Sequence, residues 1–322
     1  MKTKILKAVV YPLFFLLCLA YFVVRGFPIH LVADKLTRAA EQQLGMRVTN
    51  DGIATLFPNG VRVRGIRLIQ EAEDEGPGLV IPVEQVSARV SLLGLITGRR
   101  ELSFQAELLS GRLDGTFDHA PEKIRVQASL AGLELARLPI WQRLMNLDLA
   151  GQVTGELDLA LDPKDLKSLT GNLRLELLKG ALGEGTIKGL SIPKIGLGKT
   201  QLAIEAGKGK ADIKTFKVQS DDLEADLTES YLLLQKDAIQ TNARGKVRFK
   251  LSEEFLNKNP KFKDIIALGG LNQARGDDGF FTYQLFGRID HLQFRPQRGG
   301  AGVRPGGVPT LPSRPRAEPE LE

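Results

Sequence analysis

Few residues in this chain of 322 are of a type and spacing that could do chemistry. The three histidines, His30, His119 and His291, fall near the N-terminus, in a turn and in the last strand of the reading below. None stands at the helical or hairpin spacing from a second ligand that a metal site requires. The one cysteine, Cys18, lies inside an apolar N-terminal run, so no thiol serves the body and no intrachain disulfide can form. Asp221-Asp222 and Asp277-Asp278 are adjacent carboxylates beside strands. Each doublet offers too few oxygens for Ca²⁺ and reads as a solvated loop. Gly196-Leu197-Gly198-Lys199 has the flavour of a phosphate loop. It lacks the full pattern, no helix follows, and it reads as a turn between strands. No Gly-x-Ser-x-Gly elbow is present. The expectation is a protein that is not an enzyme, with no catalytic residue, no metal ligand and no cofactor.

The elements around these residues point to a membrane-tethered β domain. Ala8 to Val24, with Phe15 at its centre, is 17 residues without a charge. As a helix it spans about 26 Å, and with Ile5, Leu6 and a snorkelling Lys7 it matches the ~30 Å apolar core of a bilayer. The run ends in Tyr21-Phe22-Val23-Val24-Arg25 without small residues for cleavage, and Leu16-Leu17 before Cys18 does not fit a lipoprotein signal. Residues 1–28 therefore read as a cytoplasmic tip and transmembrane anchor. Lys2, Lys4 and Lys7 precede the span and only Arg25 closely follows, which puts the N-terminus in the cytoplasm and the remainder outside. This implies a single-pass membrane protein with its main domain outside the cytoplasm.

Charge excludes a further class of partner. The net +6 resides in the two ends. Four bases and no acid lie in residues 1–28, and five Arg against three Glu in 295–322. The body between them holds 35 bases and 35 acids, so it has no broad electrostatic footprint for nucleic acid.

Residues 29–45 place Ile29, Val32, Leu36, Ala39, Ala40 and Leu44 on one helical face, with Gly45 as the stop. The segment reads as a helix capping a sheet or resting on the membrane surface, and its mixed charges favour the cap. From residue 60 the period becomes two. Val61, Val63, Ile66 and Leu68 alternate with arginines, Gly65 absorbing a bulge, and similar runs recur as far as Ile289. About twelve strands joined by Gly-containing turns imply an antiparallel meander over 46–294. At ~4.8 Å per strand it would be some 58 Å long and would curl into a groove or half-barrel, apolar side inward. A few short capping helices are expected at 138–147 and 252–268, the latter with a Ser252 cap and a break at Pro260. Glu71 to Gly78 reads as a solvated loop, and 295–322 as a disordered Gly/Pro/Arg tail.

A phrase of Gly, any, apolar, any, Gly, any, apolar occurs at Gly111–Phe117 and again at Gly151–Leu157. With the basic tip, single anchor, amphipathic helix and Leu56-Phe57-Pro58-Asn59-Gly60-Val61-Arg62-Val63, the chain resembles the general secretion pathway protein N (GspN) family. The likeness continues through Leu138-Pro139 and Gly171-Asn172-Leu173-Arg174-Leu175 and covers roughly 1–294. It implies an accessory inner-membrane component of the bacterial type II secretion system. Such a protein would act by periplasmic contact with other secretion components, inner-membrane partners and the outer-membrane pore among them. The same grammar is similar to that of AsmA-like envelope proteins, which implies as an alternative a lipid-binding or lipid-handling groove.

Overall fold

Alternating apolar and polar residues give each segment one wet and one dry face, and such segments bury their backbone groups by pairing side by side. In a computed structural model of the chain, the described residues are 46–70, 78–91, 99–120, 122–138, 147–187, 190–236, 240–268, 271–289 and 291–297. Arg38, Glu41, Gly94, Thr97 and Trp141 are described besides. Two short strands, β1 (Arg47–Thr49) and β2 (Gly52–Leu56), both pair with β3 (Gly60–Gln70). An antiparallel meander then runs edge to edge through β4 (Leu79–Val90), β5 (Arg100–Leu108) and β6 (Gly111–Ala120). It continues through β7 (Lys123–Glu134), β8 (Leu149–Asp162) and β9 (Asp165–Leu182). A separate small hairpin follows, of β10 (Gly185–Ile187) and β11 (Leu190–Ile192). The large sheet resumes with β12 (Ile195–Gly207), β13 (Lys210–Gln219) and β14 (Leu223–Leu233). It ends in β15 (Asn242–Leu251), β16 (Phe281–Arg288) and β17 (His291–Pro296).

The protein is thus mainly β, one large antiparallel sheet of 15 strands with a few short helices. Its outermost strands do not meet, so the sheet is open and not a closed barrel. Tight hairpins set the meander. Between β5 and β6, Leu109 and Ser110 both have positive φ, 51° and 61°, the two-residue turn whose twist matches paired strands. Leu109 accepts this strained backbone because its side chain is only 2% exposed and its C=O accepts from the Glu134 N–H at 3.0 Å. The Leu56-Phe57-Pro58-Asn59-Gly60 phrase forms the β2–β3 turn. Asn59 ties that turn to the next strand, its Nδ2 donating to the Val90 C=O and its own C=O accepting from the Val90 N–H.

Only one end of the apolar face carries a lid among the described residues. Helices α1 (Glu253–Lys258) and α2 (Pro260–Leu268) bring Phe255 and Ile266 onto Leu251 and Phe281, with Ile195, Leu223, Phe249 and Tyr283 packed around them. The Ser252 hydroxyl caps α1, accepting from the Phe255 N–H at 3.2 Å, and Pro260 opens α2, both as the sequence implies. Ser252→Ala should cost about 1 kcal/mol in a urea melt, because it orphans that N–H.

Several expectations are corrected. Fourteen strands lie abreast rather than twelve, giving about 67 Å at the same ~4.8 Å per strand. β13 is hidden in the sequence because its apolar residues change phase between Ile213 and Phe216, where a bulge against β12 shifts the register. Gly65 absorbs no bulge against β4, since Arg64↔Gln85 and Ile66↔Val83 keep one register. Its φ of +58° instead lets Asp51 lie over it, at the break between β1 and β2. The final strand reaches Pro296, two residues beyond the boundary set at 294. Of 29–45 only Arg38 and Glu41 are described, both helical, and of the 138–147 helix mainly Trp141. The 71–77 loop and the 298–322 tail lie outside the described residues, as does the anchor. No helix among the described residues is long and apolar enough to cross a membrane.

Candidate binding surfaces

Direct cross-strand partners share a face, so the register sorts the side chains into continuous rows. One apolar row passes from Val63 through Val86, Ala106, Leu113, Leu130, Gly155, Leu175 and Leu202 to Phe216, across nine strands. A second runs beside it through Val61, Ala88, Phe104, Gly115, Ala128, Leu157, Leu173, Ile204 and Ile213. Nearly all of these residues are half-buried, neither shut in a core nor fully wet. No second layer faces them among the described residues. In a two-sheet sandwich the same positions would be fully buried. The recurring Gly phrase sits here: Gly115 makes room for the Phe104 ring, and Gly155 for Leu175.

The opposite face carries a depression of about 770 Å³. Its lining falls on two polar rows, one containing Arg62, Ser87, Gln105, Asp114, Ser129, Glu156 and Arg174, the other Arg89, Ser103, Thr116, Gln127, Asp158 and Asn172. Phe104, Gly115, Ala128 and Leu157 contribute from the row between. Polar and apolar atoms share the surface of this depression almost equally, so it is mixed in character.

Within the depression Arg62 Nε donates to Ser87 Oγ at 3.2 Å. Asp158 is held from outside its row by the Arg125 fork, at 3.0 and 2.8 Å, and from within it by Gln127 Nε2 at 3.0 Å. The Arg125 hydrogen bonds keep the Asp158 carboxyl below its usual range. Three bases and three acids line the surface, which suits reversible polar contact and gives no net pull on an ion of either sign.

The residues singled out for chemistry are dispersed. His119 lies within β6 and not in a turn, its ring parallel to Phe117 at 6.3 Å, while His291 opens β17. Gly196 to Lys199 is no turn either. It lies inside β12, bulged against both neighbours around Gly198, and Lys199 pairs with Glu176. Asp222 fastens that bulge by accepting from the Gly196 N–H at 2.7 Å. Asp278 accepts from Arg248 Nη2 at 2.8 Å and from the Phe280 N–H at 3.0 Å. Both have structural partners rather than being merely solvated. Among the described residues no three His, Cys, Asp or Glu side chains gather as a metal site. The anchor positions Ala8, Phe15 and Val24 and the topology charges Lys2, Lys4 and Lys7 lie outside the described residues.

No family model, curated protein or solved structure matches this chain. Its surfaces must speak for it. The depression escaped the sequence reading, because only register shows that Arg62, Asp114 and Arg174 share a row. Polar alternation was its one visible signal.

Proposed function

We propose that this chain is a non-enzymatic scaffold of the bacterial envelope, an accessory inner-membrane component of the type II secretion system. The observation that carries the reading is the pair of half-buried apolar rows that no second layer faces among the described residues. Apolar surface of that extent marks an interaction site in a folded protein. The charge-free run 8–24 and the basic residues before it support a single span with the sheet in the periplasm. The likeness to the GspN family supplies the machine, and the working mode is contact with its other components. Deleting the gene should cut export of a type II substrate at least tenfold. Leu130→Asp with Leu175→Asp should reproduce the loss, while Ser129→Asp on the other face should not. Normal export from the deletion strain would refute the assignment.

A second reading, AsmA-like lipid handling, is favoured by the length of the rows. Nine strands at ~4.8 Å make an apolar path of about 38 Å, longer than one leaflet's share of a ~30 Å bilayer core. Native mass spectrometry of the detergent-extracted chain should then find co-purified lipid, lost in the Leu130/Leu175 double variant. A lipid-free wild-type protein would count against this alternative and leave the first untouched.

A further inference from the structure

The wet face of the sheet is not dressed uniformly. On β13, β14 and β15 it is ionic, with Lys217, Asp226 and Arg248 directly opposite one another and Glu224 opposite Lys250. Charge of both signs is the usual dress of a face that only meets water. Over β4 to β9 the dress changes. Seven of the twelve side chains that these strands give to the two polar rows are uncharged amides or hydroxyls, three in the first row and four in the second.

The same stretch is where the surface is hollow. The depression of about 770 Å³ adjoins a second of about 500 Å³, and Ser129, Glu156 and Arg174 line both. Together they cross nine strands of the sheet from β3 to β13, an open trough about 38 Å long at ~4.8 Å per strand. Charged groups along it are engaged: Arg62 with Ser87, Asp158 with Arg125 and Gln127, and Glu176 with Lys199. Among the described residues, Gln105, Thr116, Ser129 and Asn172 keep their side-chain donors and acceptors unengaged. Each amide and each hydroxyl can both donate and accept.

These properties select the occupant. Balanced bases and acids give no pull on an ion of either sign, and the half-polar surface does not suit a purely apolar ligand. An extended peptide takes main-chain bonds from a strand edge, whereas the backbone groups beneath this trough are spent on the ladder. A small ligand is held in a pocket that encloses most of it, and this trough is long and open. A sugar chain meets every condition: it is linear and neutral, its hydroxyls donate and accept, and its ring C–H groups suit the apolar part of the surface. We infer that the trough over β4 to β9 binds a linear, uncharged glycan, with Gln105, Thr116, Ser129 and Asn172 hydrogen-bonded to its hydroxyls. The site lies on the face opposite the apolar rows and does not depend on the secretion reading.

The test uses the full-length chain in a polyoxyethylene detergent, whose headgroup contains no sugar ring. End-labelled N-acetylglucosamine hexamer and maltohexaose are titrated by fluorescence anisotropy. At least one hexamer should bind, at least tenfold more tightly than its own disaccharide, because only the longer chain follows the trough. Raising salt should change that affinity less than twofold, since no ion pair forms. Gln105→Ala combined with Asn172→Ala should keep the melting curve and lose at least tenfold in binding, while Phe294→Ala, far from the trough, should bind as the wild type does. No binding of either hexamer, a disaccharide that binds as tightly, steep salt dependence, or unchanged binding by the double variant would overturn the inference. So would equal binding of a Ser-Gly repeat peptide of similar length, which would assign the trough to polypeptide.

Discussion

Gly171→Ala should lower stability by about 3 kcal/mol, moving the melting midpoint by roughly 6–12 °C for a sheet of this size. Gly171 lies in β9, a central strand, opposite Leu159 of β8 and Ala206 of β12. Its φ is +130°, a conformation that side-chain-bearing residues rarely adopt, and an added Cβ would be driven into the backbone C=O of Asp158. That oxygen belongs to the ladder. Relief requires β8 and β9 to part, at the strand whose Asp158 anchors the Arg125 fork. Gly207→Ala provides the control, because nothing lies within 4 Å of its added Cβ. It should change stability by no more than about 0.5–1 kcal/mol, read in the same thermal and urea melts. Equal behaviour of the two variants would show that the β8–β9 ladder is not held at Gly171.

Phe255→Ala should cost about 3–4 kcal/mol, the usual penalty for emptying a buried aromatic site. The side chain is 3% exposed and meets Phe262 edge to face, with ring centres 6.0 Å apart. It is the member of α1 that holds the helix pair over Leu251 and Phe281. Its loss should loosen α1 and α2 before the sheet melts, seen as earlier proteolysis within 253–268 and increased binding of a hydrophobic dye. Phe294→Ala, at an exposed edge, should leave the melt within about 0.5 kcal/mol. A Phe255→Ala melt indistinguishable from that of Phe294→Ala would remove the helix pair from the stability of the domain.

Local chemistry made much of this legible. Leu149 to Leu161 alternates cleanly and forms β8, because period two is written in consecutive residues. Ser252, Glu253, Glu254 and Pro260 mark two helix starts within a few positions of each other, and both starts are where those residues place them. β1, β2 and β17 were harder to see. Strands of three to six residues at an edge carry too few alternations to stand out, and their pairing is decided by the neighbour.

Other features could not be read from residues alone. The change of phase near Lys214 moves side chains between faces and becomes visible only against the partner strand, whereas the break at Asn50-Asp51 interrupts the edge without changing its register on β3. With a side-chain period of two, one extra residue reverses every position after it. The sequence by itself determined a β meander with one dry face and the helical pair that covers one end of it. Tertiary structure alone decided which residues align into rows, that two polar rows line one depression, and which strands stand at the two edges of the sheet. Those outcomes depend on register and twist across many strands, which are set by pairing between distant segments and not by any one of them.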